Sequence, residues 1–75
     1  MKLELKKILV NSETDFIEDG VEKVLANITI VADLVGAKNT QEVPISIEVV
    51  SLNSDRGTEM DAQRQAACEN LINNF

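Results

Sequence analysis

Lys23-Val24-Leu25-Ala26-Asn27-Ile28-Thr29-Ile30-Val31-Ala32-Asp33-Leu34-Val35 is the stretch that decides the fold of this chain. Val24, Ala26, Ile28, Ile30, Ala32 and Leu34 are apolar at every even position, while Lys23, Asn27, Thr29 and Asp33 fall on odd ones. A period of two is that of a pleated strand with one buried face, because successive side chains point to opposite sides. A helix would scatter these side chains around its circumference. The β-branched Val24, Ile28, Thr29, Ile30 and Val31 also suit a strand.

Downstream, Gly36-Ala-Lys-Asn-Thr-Gln-Glu42 has turn composition and no period, so it reads as a short antiparallel return. A third strand is expected from Val43 to about Leu52, with Val43, Ile45, Ile47 and Val49 on one phase and Pro44, Ser46, Glu48, Val50 and Leu52 on the other. Pro44 has no amide hydrogen for a ladder, which puts this strand at an edge and makes Lys23–Val35 the centre. Upstream, the first ten residues form a strand in which Leu3, Leu5 and Leu9 share one phase and Ile8 and Val10 the other. The switch after Lys6-Lys7 marks either a bulge or a strand end covered on both faces. Asn11–Gly20 holds four carboxylates and no base, and is expected to be the first connection. Its Asp19-Gly20 is a hairpin dipeptide, so strand two could start at Val21, with Phe16 and Ile17 either extending strand one or folding back as a lid.

After Asn53 the pattern becomes helical. Thr58 with Asp61 resembles a capping box, and Glu59 and Asp61 suit the positive end of the helix dipole. Met60, Ala67, Leu71 and Phe75, flanked by Cys68 and Ile72, predict one apolar stripe to lie on the sheet. Arg64 falls near the middle of that stripe, so its stem packs while its head seeks solvent or a carboxylate. The expected architecture is a single α+β domain over residues 1–75: a three-stranded antiparallel meander with one C-terminal helix packed on one face, β-β-β-α.

The chain has 75 residues, 44% of them hydrophobic and 27% charged, which is globular rather than disordered composition. Phe16 and Phe75 are its aromatics, so stacking platforms for bases are missing. A net charge of −6 opposes direct binding to nucleic acid or anionic membranes. No apolar run approaches a membrane span and no apolar leader follows the basic Met1–Lys7 start, so a cytoplasmic location is expected. With Cys68 alone and no histidine, neither an internal disulfide nor a thiolate–imidazole metal site is expected, and no cofactor is.

Little points to catalysis, and the chain is expected not to be an enzyme. The carboxylates Glu13, Asp15, Glu18, Asp19 and Glu22 fail as a calcium loop, because Ile17 and Ala26 stand where ligands are needed. They read as a solvated acidic surface or a docking site for a basic partner. Cys68 has only Arg64 nearby to activate it and reads as structural. Ser54–Thr58 lacks a glycine-rich phosphate motif and reads as ordinary capping.

A single helix covers one side of a sheet. The side opposite is expected to carry Ile8, Val10, Leu25, Val31, Val35, Val50 and Leu52, an apolar set rarely left in water. The contrary reading scatters them among Asn27, Thr29, Asp33, Ser46 and Glu48. The first functional expectation is a small non-catalytic interaction or assembly module, a homodimer or other protein complex formed through that face, with no small-molecule substrate. The alternative is an acidic inhibitor that mimics nucleic acid and binds a basic protein through the carboxylates of residues 13–22.

Overall fold

The structure, a computed structural model, describes residues 2–75. Strands β1 (Lys2–Glu18), β2 (Val21–Val35) and β3 (Thr40–Leu52) form one antiparallel sheet in the order β1-β2-β3. A 3-10 turn at Asn53–Asp55 leads into helix α1 (Thr58–Asn73), which completes the expected β-β-β-α order. The molecule is elongated, 51 Å along its longest axis. At about 1.5 Å per residue the helix is only about 24 Å long, so much of the sheet has no helix over it.

The even side of β2 is the core, as its period requires: Val24, Ala26, Ile28, Ile30 and Ala32 are all fully buried. Small Ala26 and Ala32 leave room for the helix, while Leu5, Ile8, Ile45, Ile47 and Val49 pack around them half-buried. β1 ends at Glu18 and β2 begins at Val21, so Asp19 and Gly20 alone make the turn. Both have positive φ, 54° and 78°, as a two-residue hairpin turn matched to strand twist demands.

Asn11–Gly20 is not the first connection. Its residues through Glu18 extend β1, with Thr14 opposite Leu25 and Phe16 opposite Lys23, so Phe16 and Ile17 form strand rather than lid. The acidic side chains tolerate the strand because Arg56, Arg64 and Lys23 lie against three of them. The phase switch in β1 is a bulge, and a second follows it. Lys6 is the extra residue between the Leu5–Ala32 and Lys7–Val31 pairs, and Asn11 the extra one between Val10–Ile28 and Ser12–Asn27. Each bulge reverses the side-chain phase of everything beyond it.

The helix is rotated from the expected stripe. Its buried line is Met60, Arg64, Cys68 and Ile72, each one turn after the last, whereas Leu71 is exposed and Phe75 is 78% exposed. Arg64 takes a core position because its head reaches Glu13 on β1, which lets the stem lie against apolar neighbours. The Thr58–Asp61 capping box is also not formed. Gly57 is the cap residue at φ 99°, and its carbonyl accepts the first helical bond from the Asp61 amide at 3.0 Å. Glu59 and Asp61 do occupy the first turn, where the helix dipole favours them. Asp55 accepts a 2.9 Å hydrogen bond from Gln63, which ties the 3-10 turn to the helix.

Candidate interaction surface

Residues paired across an antiparallel ladder share a face, so the strand registers define both sides of the sheet. The side away from the helix is built from the odd positions of β2. Leu25 is flanked by Thr14 and Val50, Lys23 by Phe16 and Leu52, and Val31 by Lys7 and Pro44. Val21 lies beside the turn. At this hairpin end the apolar side chains are open to water: Val50 is 53% exposed, with Val21 and Leu52 close behind.

Ile8 and Val10 are not on this face. The bulge at Lys6 turns Ile8 to pair with Ile30 and Val10 with Ile28, both on the helix side. Of the other residues expected here, Leu25, Val31, Val35, Val50 and Leu52 do share the open face, but they are not one patch. Between Leu25 and Val31 runs a polar band in which the Asn11 side chain donates to Thr29 Oγ1 at 2.7 Å and Asn27 donates to Ser12 Oγ at 3.0 Å. Ser46 and Glu48 continue the band onto β3, and an open concavity of about 480 Å³ lies over Asn11, Asn27, Ser46 and Glu48. Val31 itself is only 6% exposed, covered by its neighbours in the same chain. At the hairpin end the uncovered apolar surface is Leu25, Val50 and Leu52, with Phe16 and Val21 alongside, and Leu9, 44% exposed opposite Thr29, adds one apolar side chain within the band.

Ion pairs border this face, among them two closed by hydrogen bonds. Lys6 Nζ donates to Glu42 Oε2 at 2.8 Å across the strands, and Lys23 Nζ to Glu18 Oε1 at 2.6 Å beside the turn. The hydrogen bond from Lys6, and then its charge, holds the Glu42 carboxyl below its ordinary range, and Lys23 does the same for Glu18. In return the hydrogen bond to Glu42, its charge and that of Asp33 raise the Lys6 ammonium.

The five carboxylates expected as a docking surface do not share one face. Glu13 and Asp15 point to the helix side, Glu18 to the open side, Asp19 lies in the turn and Glu22 pairs opposite Ile17. Glu13 accepts a hydrogen bond from Arg64 Nη2 at 2.9 Å, which with the Arg64 charge lowers its pKa, and Arg56 lies at 3.9 Å. Asp15 accepts from Arg56 Nη2 at 2.5 Å. The strand register that the two-residue turn dictates would have exposed Phe16 as a neighbour of Lys23 in the sequence. The arginines that meet Glu13 and Asp15 are more than forty positions away, and no local signal announces them.

Elsewhere the chemistry is sparse. Burial, and then the nearby Glu69 charge, pushes the Cys68 thiol up, away from reactive thiolate. Among the described residues no group of three or more His, Cys, Asp or Glu is arranged to hold a metal ion. No described helix is long and apolar enough to cross a membrane.

Fold and surface together define a class: a three-stranded open sheet backed by one helix, with an amphipathic outer face. Compared with known proteins, the chain matches no family model, no curated protein and no solved structure.

Proposed function

We propose that this chain is a small non-catalytic assembly module that self-associates through the sheet face opposite its helix. The observation that carries this reading is the exposure of Val21, Val50 and Leu52 around half-buried Leu25 and Phe16 on one continuous end of that face. Apolar side chains grouped this way on a flat sheet gain more from a second flat surface than from water. The polar band next to them supplies amide and hydroxyl groups that set register without large desolvation cost. The acidic-mimic alternative has weaker support, because Arg64, Arg56 and Lys23 already engage Glu13, Asp15 and Glu18 and the remaining carboxylates are split between surfaces.

Sedimentation velocity from low to high micromolar concentration tests the proposal. Concentration-dependent association is expected, and Leu25→Glu is expected to weaken it while the circular dichroism of the fold persists. A strict monomer at high micromolar concentration overturns it. Val31 is the wrong position to probe, since its burial within the chain makes a charge there a test of folding.

A further inference from the structure

The two edges of this sheet are not alike. β1 is broken by bulges at Lys6 and Asn11 and carries Lys2, Lys6 and Lys7, devices that keep an edge from pairing with another chain. β3 runs from Thr40 to Leu52 in unbroken register with β2, and nothing described lies along its outer side in the sheet. Its main protection is Pro44.

The direction of the β3 amides follows from the turn. A two-residue hairpin closes on a hydrogen-bonded pair, here Glu18–Val21, so odd residues of β2 bond towards β1 and even ones towards β3. Their partners Val43, Ile45, Ile47, Val49 and Ser51 are the β3 residues bonded inward. Ser46, Glu48, Val50 and Leu52 therefore turn their amides and carbonyls outward, as does Pro44, whose missing hydrogen is tolerated for that reason. On the helix side of the same edge, Ile45, Ile47 and Val49 remain only half-buried.

The geometry points to β3 as a second contact, pairing antiparallel with β3 of another copy of this chain about a two-fold axis at Ile47. This rests on the self-assembly reading above and adds a site to it. The occupant is a second copy because the strand is complementary to itself in this register. Ile47 meets Ile47 of the partner and Ile45 meets Val49 of the partner, which extends the half-buried apolar row across the junction. Ser46 lies opposite Glu48 of the partner, a hydroxyl beside a carboxylate, and Pro44, which has no amide hydrogen to give to this ladder, lies opposite exposed Val50 of the partner. No carboxylate faces another, whereas a two-fold at Glu48 would oppose Glu48 with itself. Such an edge contact joins two three-stranded sheets into one of six strands, doubles the width of the open face, and leaves both helices on the same outer side. Edge pairing and face packing use perpendicular axes, and where those axes intersect the two contacts together build a tetramer of two six-stranded layers.

Sedimentation of three variants separates the two contacts. Wild type is expected to reach the tetramer. Ser46→Pro with Glu48→Pro removes two outward donors without touching the β2 ladder, and is expected to leave a face-linked dimer. Leu25→Glu is expected to leave an edge-linked dimer. If the proline variant sediments like wild type, the edge contact is overturned, whatever becomes of the face. Oxidative cross-linking decides the matter independently should the prolines unfold the chain. Ile47→Cys is expected to form a disulfide-linked dimer in high yield, and Ile45→Cys, equally half-buried but opposite Val49 of the partner, is not. Equal yields, or none at position 47, overturn the register and the proposal with it.

Discussion

Ile28 and Leu25 lie three residues apart on the central strand, and both are branched aliphatics between two other strands, yet their surroundings are opposite. Ile28 sits between Val10 and Ile47 on the helix side and is fully buried; Leu25 sits between Thr14 and Val50 on the open side and is half-covered. The same strand thus presents a dry side and a side that is half polar. The dry side holds the chain together, and the other is available for contact with a second molecule.

The largest effect that would break this contrast is loss of a dry-side residue. Ile28→Ala removes a side chain with no exposure and is expected to cost about 2–5 kcal/mol in urea unfolding, enough to threaten so small a domain. A cost below that of an open-side truncation would show that the helix side is not the core. Next comes Arg64, 7% exposed and placed among apolar neighbours on α1. Arg64→Ala is expected to cost about 2 kcal/mol, and Arg64→Met to recover most of it, because the stem's packing matters more there than the charge. An equal loss in both variants would mean instead that the pair with Glu13 dominates. On the open side, Leu25→Ala is expected to cost about 1 kcal/mol or less in dilute solution, its main effect appearing as weakened association in sedimentation.

The smallest effect comes from the carboxylates. Glu13, Glu18 and Glu42 have folded pKa values held below the ordinary value of 4.5 by their basic partners. Their contribution is therefore complete above pH 4.5 and lost as acid takes the solution down through the folded values. Because all three lie at the surface, the decline in the melting temperature below pH 4.5 should be shallow and should flatten further in salt. Lys6 behaves in the opposite sense: its folded pKa is raised, so its contribution persists up to the ordinary lysine value and is lost as pH rises past it. A steep acid transition unaffected by salt would contradict this picture.

The sequence was most legible where structure is local. The alternation at Val24–Leu34, the Asp19-Gly20 turn and the Pro44 edge each depend on neighbouring residues, and each appears in the structure. The acidic stretch from Asn11 to Glu18 was misleading because its carboxylates suggested a solvated loop. Their counter-charges Arg56 and Arg64 arrive only when the helix folds back over β1. The candidate surface was half legible. Leu25, Val50 and Leu52 follow from parity alone, whereas Ile8 and Val10 were misassigned by it, since a bulge is a property of pairing and not of one strand.

By itself, then, the sequence determined the element order and the buried side of β2, because periodicity and turn chemistry are carried by the chain. Only the tertiary structure decided which way β1 faces beyond Lys6, and that Arg64 rather than Leu71 lies against the sheet. Those outcomes depend on register and on long-range charge pairs, and both come into being only when distant segments meet.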